Sequence, residues 1–272
     1  MANEHSDRVF AGSIPKLYDT LLVPLIFEPY AADLVGRLAS LPLEWVLEIA
    51  AGTGVLTRSM AAALPYRVSI VATDLNQPML DYASAVGTRR PVEWRQADAM
   101  QLPFPEARFD AVVCQFGAMF FPDRIKAYSE ARRVLRPGGT LLFNVWDRIE
   151  DNEFSAAVTA ALRGMFPDDP PLFLQRTPHG YSDTRAISTD LAGAGFTAKP
   201  RIATVTARSR ASSPRIPAVA YCQGTPLLNE ITARDPSRID EAVDRAAAAI
   251  AARFGNGAVD GKIQAHVIWI GR

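Results

Sequence analysis

Cysteine, histidine and net charge are all scarce in this chain of 272 residues. Two cysteines, Cys114 and Cys222, and three scattered histidines form no cluster with the spacing of metal ligands, so we expect no metal site. The 29 basic residues balance the 29 acidic ones, which removes any bulk electrostatic reason to expect a nucleic acid as partner. A DNA or RNA substrate is therefore disfavoured.

Long apolar segments are also missing. No run approaches the roughly 18 consecutive apolar residues of a membrane-spanning helix, although 49% of the residues are hydrophobic and can fill a core. The first eight residues are polar and lack the apolar stretch of a signal peptide. We therefore expect a cytoplasmic protein with no membrane span.

Two common nucleotide-binding motifs are absent where one might look for them. Residues 46–54, Val-Leu-Glu-Ile-Ala-Ala-Gly-Thr-Gly, predict a buried strand that ends in a glycine-bearing turn and opens into a helix. The turn lacks the Gly-Lys-Ser/Thr of a P-loop, and Thr57 stands where a dinucleotide-binding motif has its third glycine. Gly52 and Gly54 leave the backbone open to a ligand, and the helix behind them begins with unbonded N–H groups.

An acidic residue, Asp74, follows the next apolar strand along the chain. In a doubly wound sheet the carboxyl ends of these two strands are neighbours, so Asp74 would face whatever the glycine turn holds. A simpler role for Asp74, as a loop acid or helix cap, stays open. The two segments together predict a nucleotide-type binding site.

Strands and helices alternate through the middle of the chain, as in βαβ units. Strands are predicted near residues 45–50, 67–73, 92–97, 109–115, 139–146, 201–208 and 262–270. Helices are predicted near residues 15–22, 28–39, 53–64, 77–86, 123–135, 151–165, 183–194 and 235–253. Pro24 is expected to separate the first two helices, and Arg136-Pro-Gly-Gly139 to end the helix at 123–135 and turn into the sheet.

Three further blocks follow Asp74 in order: Gln-Ala-Asp-Ala-Met at 96–100, Phe-Asp-Ala-Val-Val-Cys-Gln-Phe at 109–116, and Val-Leu-Arg-Pro-Gly-Gly-Thr-Leu-Leu-Phe at 134–143. Over roughly residues 45–147 the chain resembles the class I S-adenosylmethionine (SAM)-dependent methyltransferases, with Ala50 where many members carry glycine. Residues 102–110 and the Arg-Pro-Gly-Gly turn are similar to the small-molecule group that includes ubiquinone and menaquinone biosynthesis methyltransferases.

The resemblance implies an α/β fold with a Rossmann-like, seven-stranded, mostly parallel sheet. Helices would cover both faces, and one strand of the last hairpin, formed by 201–208 and 262–270, would be antiparallel. Residues 1–272 would form a single domain, with an N-terminal helical cap (1–44), a cofactor-binding core (45–147) and a C-terminal half (148–272). An insertion at about 209–261 would form a helical lid.

The resemblance also implies SAM as cofactor and S-adenosylhomocysteine (SAH) as product. Asp74 would accept bonds from both ribose hydroxyls, Asp98 and Ala99 would address the adenine, and Glu48 would hold the glycine turn or the amino end of the cofactor. The residues expected to bind the cofactor are Tyr18, Glu48, Ala50, Gly52, Thr53, Gly54, Asp74, Leu75, Met79, Asp98, Ala99, Met100, Gln115 and Phe116.

Several of these residues have a plainer alternative role that the sequence leaves open. Asp98 could cap its own turn, and Tyr18 could serve ordinary helix packing. Met79 and Met100 could be core residues.

The implied reaction is an SN2 transfer of a methyl group to an oxygen, nitrogen or carbon atom of a small-molecule acceptor. The chain would then be an enzyme that mainly aligns the partners and excludes water. The general base, if the acceptor needs one, is unknown, and the candidates are His179, Tyr181 and Tyr18. For His179 the alternative is an ordinary exposed loop histidine.

Two other functions remain open. One is a non-catalytic protein of the same fold that binds SAM or SAH; the other is a nucleotide-dependent oxidoreductase, against which the missing third glycine counts. The acceptor is also open, as is the oligomeric state, with a homodimer as one option. The insertion at 209–261 could close on substrate or join a partner subunit.

Overall fold

The computed structural model of this protein describes Asp7, Phe10 and residues 12–272. Most of the polar lead at residues 1–8, including His5, and part of the expected cap at 1–44 lie outside the described residues. In the part that is described, no helix is both long and apolar enough to cross a membrane.

The described residues form a mixed helix and strand structure. The α-helices are α1 (Ile14–Leu17), α2 (Glu28–Leu38), α3 (Val55–Ala63), α4 (Gln77–Val86), α5 (Arg124–Val134), α6 (Glu153–Met165), α7 (Phe173–Arg176), α8 (Thr184–Gly193), α9 (Arg215–Gln223), α10 (Leu227–Arg234) and α11 (Ile239–Phe254). The strands are β1 (Trp45–Ile49), β2 (Ser69–Asp74), β3 (Glu93–Gln96), β4 (Phe109–Gln115), β5 (Leu135–Trp146), β6 (Arg201–Ala211) and β7 (Val259–Gly271). A π-helix, Tyr18–Phe27, joins α1 to α2.

The seven strands form one sheet in the order β3-β2-β1-β4-β5-β7-β6. Strands β1 to β5 pair in parallel. Strand β7 runs antiparallel to β5, because Gly138 N–H bonds the Arg272 carbonyl at one end while Asp147 N–H bonds the Gln264 carbonyl at the other. The predicted seven-stranded, Rossmann-like sheet with its antiparallel last hairpin is confirmed.

Helices cover both faces of this sheet. On one face α2 and α3 pack Leu34, Leu38 and Leu56 into a buried cluster with strand residues that include Leu142. Neighbouring strand residues point to opposite faces. Phe143 accordingly faces the other side, where its ring lies 5.2 Å from that of Tyr128 on α5. This double cover explains why most of the parallel strands are apolar runs, with the polar edge strand β3 as the exception.

Two local predictions are wrong, and two helices were missed. Pro24 does not separate two helices; it lies inside the π-helix, which continues the chain from α1 to α2. Strand β5 begins at Leu135 rather than 139, and the proline and glycines of the expected turn bulge out where the pairing shifts from Leu135 to Thr140. Helices α9 and α10 were not predicted.

The chain divides into two compact units by its internal contacts. One contains the described residues up to Phe27 together with Trp146–Gly180 and Thr206–Gln264, and so includes the helical insertion α9–α11. The other contains Glu28–Val145, Tyr181–Val205 and Ala265–Arg272. This second unit, called the core unit below, holds the parallel strands and the glycine turn. The lid role expected for 209–261 stays a prediction.

Candidate functional site

The candidate site lies in the core unit, at the edge where parallel strands β1, β2 and β4 end. Ligands of open α/β sheets bind at this carboxyl edge. The turn at residues 50–54 follows β1 and is tied to β2 by a bond from Ala51 N–H to the Thr73 carbonyl at 2.9 Å. The predicted neighbourhood of the glycine turn and Asp74 is therefore present.

Asp74 is hydrogen-bonded directly to the glycine turn. Gly52 N–H donates to its Oδ2 at 2.8 Å, and Asn76 N–H donates to its Oδ1 at 2.8 Å. Burial raises the pKa of Asp74, while the bonds from Asn76 and Gly52 act in the opposite direction. Asn76 Nδ2 also donates to Oδ1, at 3.4 Å. A carboxylate has about four acceptor positions, so Asp74 keeps acceptor capacity for a hydroxyl donor of a ligand, chiefly on Oδ2.

The backbone of the turn is unusual at Ala50. Its φ of 55° lies in the left-handed region, together with Gly52 at 56° and Gly54 at 84°. For alanine this conformation costs about 1–2 kcal/mol. At Gly54 an added Cβ would lie 2.8 Å from the Trp94 ring, so this glycine serves the packing of Trp94. At Gly52 the nearest atom, Met79 Cε, would be 3.6 Å away, which is an ordinary contact.

Thr53 provides an observation that tests whether a ligand fits the turn. Its side chain is 1% exposed, and its Oγ1 has no hydrogen-bond partner among the described residues. Buried hydroxyls are ordinarily paired, since an unpaired one costs free energy. A polar ligand in the turn would supply the missing partner. Together with Asp74 this fits the ribose and methionyl groups expected of the cofactor.

Glu48 lies behind the turn, on β1, and is 1% exposed. The Thr57 hydroxyl donates to its Oε2 at 2.5 Å. Burial raises the pKa of Glu48 to about 8, despite the opposing effect of the Thr57 bond. Thr57 stands where a dinucleotide-binding motif has its third glycine. In this protein the side chain at that position donates the hydrogen bond to Glu48.

The remaining residues expected to bind the cofactor around Asp74 and Asp98 differ in their surroundings. Leu75 is 45% exposed directly after Asp74, as an apolar contact for a ligand would be. Met79 is buried and packs beneath the turn. Asp98 caps its own turn, because its Oδ1 accepts from Met100 N–H at 2.8 Å while its carbonyl accepts from Gln101 N–H at 2.9 Å. The adenine roles of Asp98 and Ala99 and the cofactor contact of Met100 stay predictions.

A second turn, which contains Phe116 and Gly117, follows β4. Phe116 has a φ of 51°, and its N–H donates to Oδ1 of Asn144 on β5 at 2.9 Å. Gly117 lies so close to the first turn that an added Cβ would be 2.5 Å from Cβ of Ala50. Asn144 is a functional candidate that the sequence analysis missed. A polar residue inside the apolar run Leu-Leu-Phe-Asn-Val-Trp was the available signal.

The three general-base candidates have different surroundings. Tyr18 lies outside the core unit, in the π-helix, with its ring stacked on Phe27 at 4.9 Å. Tyr181 belongs to the core unit and donates to Asp190 at 2.7 Å beneath the guanidinium of Arg124. Burial raises the pKa of Tyr181, which disfavours its phenolate. None of these contacts assigns a catalytic role.

His179 is not the exposed loop histidine that was its alternative. It is 7% exposed, and its Nδ1 lies 2.7 Å from the Asp147 carbonyl. Since a carbonyl only accepts, the proton of the neutral ring is on Nδ1, and Nε2 carries the lone pair. Burial lowers the pKa of His179 to about 4, so the ring is neutral at pH 7. Its catalytic role stays a prediction.

Comparison with known proteins shows which proteins the segment that carries this site is similar to. Residues 47–143 match the profile of a family described as a methyltransferase domain. The chain is 39% identical over 99 residues to a demethylmenaquinone methyltransferase of Deinococcus radiodurans, covering 36% of this chain and 41% of that protein. It is 36% identical over 126 residues to the ubiquinone/menaquinone biosynthesis C-methyltransferase UbiE of Pseudomonas aeruginosa, covering 45% of this chain and 49% of that protein.

A solved structure extends the comparison beyond the core. The phosphoethanolamine N-methyltransferase 2 of Haemonchus contortus, in complex with S-adenosyl-L-methionine, has a TM-score of 0.58 and 14% identity, and the alignment covers 95% of this chain and 56% of that one. The chain matches less than half the length of the two relatives compared by sequence. The matched segment is similar to methyltransferase domains, and the strand order and the glycine turn agree with it, so the resemblance to the class I SAM-dependent methyltransferases drawn from the sequence is confirmed.

Proposed function

We propose that this protein is an enzyme that transfers a methyl group from SAM to a small-molecule acceptor. The observation that carries the proposal is the pairing of Asp74 with the glycine turn, because it holds a carboxylate with acceptor capacity left at the carboxyl edge of the sheet, where ligands of such sheets bind. The alternative, a protein that binds SAM or SAH without turnover, shares this site and differs only in the outcome of an activity assay.

The residues of the candidate site have different roles in this proposal. Asp74 accepts the two ribose hydroxyls, and the Thr53 hydroxyl gains its missing partner. Leu75 offers an exposed apolar surface to the adenine. SAM supplies a methyl group on a cationic sulfur, so the leaving group needs no further activation. The protein's contribution is to hold the reactants in line and to exclude water.

The acceptor belongs to this proposal and follows from the relatives' names. The Deinococcus and Pseudomonas proteins are named for demethylmenaquinone and for ubiquinone and menaquinone biosynthesis. Demethylated quinones are therefore the first methyl acceptors to test in a panel of small molecules, followed by phenols and amines. A cytoplasmic location and a homodimer are kept as predictions of the sequence.

The test is calorimetric binding of SAH to the parent protein and to Asp74→Asn. The variant keeps the shape of the side chain and one oxygen, but it loses the charge and half of the acceptor positions. A hydrogen bond to a charged group contributes about 1.5–3 kcal/mol, so we expect affinity to fall at least about tenfold. Asp81→Asn, on the exposed surface of α4, is the matched control and should bind as the parent does.

The outcomes separate the alternatives. If the parent binds neither SAM nor SAH, the proposed cofactor is wrong. If both ligands bind and no acceptor of the panel is methylated, the non-catalytic alternative replaces the proposal. Equal affinity of Asp74→Asn and the parent would remove Asp74 from the site.

A further inference from the structure

Asn144 is a fully buried polar side chain for which the proposed transfer assigns no role. It lies on β5, where it is paired with Gln115, the last residue of β4. The chain leaves the sheet after Gln115, and Oδ1 of Asn144 accepts the next backbone N–H, that of Phe116, at 2.9 Å. The side chain therefore continues the bonding between the two strands one residue beyond the end of their backbone pairing.

The turn that begins at Phe116 has a strained backbone. Phe116 has a φ of 51°, a left-handed conformation that is costly for a residue with a side chain. Such a conformation persists only where the surrounding structure fixes it by several contacts. The Phe116 ring meets the Tyr30 ring edge-on at 5.2 Å, and the N–H groups of the next two residues donate to the Cys114 sulfur. The bond to Asn144 fixes the first N–H of the turn.

This turn lies at the point of the sheet where ligands of open α/β folds bind. Strands β2 and β3 lie on one side of β1, and β4 and β5 lie on the other, so the turns after β1 and β4 flank the switch point of the sheet. The two turns are in contact, because a Cβ added to Gly117 would lie 2.5 Å from Cβ of Ala50. Asp74 ends β2, on the far side of β1. The turn after β4 and Asp74 therefore lie on opposite sides of the glycine turn.

We propose that Asn144 is a positioning residue for methyl transfer: by accepting the Phe116 N–H, it fixes the side of the ligand site on which the methyl group meets the acceptor. This inference rests on the proposed function. Asp74 and the glycine turn would hold the ribose of SAM and of SAH alike, so affinity for both depends mainly on β1 and β2. A shift of about 1 Å on the side of β4 leaves those contacts in place and still slows transfer by up to about a hundredfold.

The first test measures the bond itself and needs no turnover. Asn144→Leu keeps nearly the same volume but has no acceptor. Asn144→Asp keeps an oxygen in the place of Oδ1 and gives up no other bond, because Nδ2 of Asn144 has no acceptor among the described residues. We expect the Phe116 amide of the ligand-free parent to exchange its hydrogen slowly with solvent. Exchange should stay slow in Asn144→Asp and become about tenfold faster in Asn144→Leu, as the loss of one hydrogen bond predicts.

The second test compares transfer with binding. The transfer rate is measured with the compound of the acceptor panel that the parent methylates. It is then divided by the number of sites that bind SAH in calorimetry, so that unfolded protein does not count. For Asn144→Leu we expect kcat per site to fall by about tenfold to a hundredfold, with a much smaller change in SAH affinity. Asn144→Asp should restore most of the rate.

Asp110→Leu is the matched control, because it removes the same kind of bond at the opposite edge of the sheet. Oδ2 of Asp110 accepts from the N–H groups of Glu44 and Trp45, at 2.8 Å each, where β1 begins. We expect this variant to have a lower free energy of unfolding and an unchanged kcat per site.

Four results would overturn the inference. They are an unprotected Phe116 amide in the parent, which decides even if Asn144→Leu does not fold, an unchanged kcat per site in Asn144→Leu, a loss of SAH affinity as large as the loss of kcat, and an equal loss of kcat in Asn144→Asp or in the control. A parent that methylates no compound of the panel would instead contradict the proposed function.

Discussion

At the scale of single residues, burial sets the protonation state of the groups that matter most. Glu48 and His179 are both almost fully inaccessible, and both are held in the neutral form, although one is an acid and the other a base. The common cause is the cost of placing a charge away from water. The hydrogen-bond partners then decide which atom carries the proton, as the Asp147 carbonyl does for His179.

His179 gives a prediction about acid stability. Its pKa falls from 6.5 in the unfolded chain to about 4 in the folded protein, so the folded protein binds fewer protons between these values. Stability is therefore lost as pH falls from 6.5 towards 4, by up to about 3 kcal/mol at about 1.4 kcal/mol per pKa unit. His179→Asn keeps an N–H donor for the carbonyl but does not titrate.

Melting curves of the parent and His179→Asn between pH 7 and 4.5 check this. We expect the variant to have a lower Tm than the parent at pH 7, because it loses ring packing on Trp146. On acidification its Tm should fall by less than that of the parent. If the Tm of the parent and that of the variant fell by the same amount between pH 7 and 4.5, His179 would not be the cause of the loss of stability in acid.

At the scale of elements, the two turns of the candidate site are built around one close contact. Ala50 holds its left-handed conformation with its methyl group directed at Gly117, where an added Cβ would lie only 2.5 Å away. The same added atom would be 2.7 Å from Sγ of Cys114. The alanine in the first turn is therefore compatible with the fold because the second turn has a glycine.

Gly117→Ala tests this contact. Overpacking of this kind costs about 1–3 kcal/mol, so we expect a lower free energy of unfolding and weaker SAH binding. The control is Gly36→Ala on the exposed side of α2, where an added Cβ meets nothing within 4 Å. That change should stabilise by about 0.5–1 kcal/mol.

Chemical denaturation of the single and double variants measures the coupling. Ala50→Gly should recover part of the loss when it is combined with Gly117→Ala, because it removes one of the two clashing atoms. Only part of the free energy of unfolding should be recovered, because the alanine at position 117 still clashes with Sγ of Cys114. Strictly additive effects would mean that the two turns do not interact as described.

At the scale of the whole molecule, ion pairs join segments far apart in the sequence within the unit that holds the insertion. Arg176 donates to Asp7 at 2.7 Å and to Glu230 at 2.6 Å, and these two carboxylates are 3% and 6% exposed. Glu230 also accepts from Leu172 N–H at 2.8 Å. The N-terminal segment, α7 and α10 thus share one buried network.

Arg176→Met should therefore destabilise the protein strongly. It leaves two buried carboxylates without their cation, and breaking a buried pair from one side costs about 3–5 kcal/mol. Arg148→Met is the control, because the Arg148 side chain is 70% exposed in its pair with Asp151 and such pairs contribute about 0–1 kcal/mol. Urea unfolding compares the two, and equal losses would contradict the structural role given to the network.

Much of the core unit could be predicted because its signals are local. The apolar runs, the glycines after β1 and the acid after β2 each act within a few residues, and parallel strands then bring their carboxyl ends together. Boundaries set by longer-range context were missed. Pro24 reads as a break, and only the π-helix around it shows how the chain continues.

The amino-acid sequence by itself determined the alternation of strands and helices in the core unit, the place of the glycine turn and the acid that faces it. These depend on periodicity and turn chemistry, which neighbouring residues carry. The tertiary structure decided the contacts between distant residues: Asn144 with Phe116, Ala50 with Gly117, and Arg176 with Asp7 and Glu230. It also decided the protonation of Glu48 and His179, because burial is a property of the packed fold and not of the residue type.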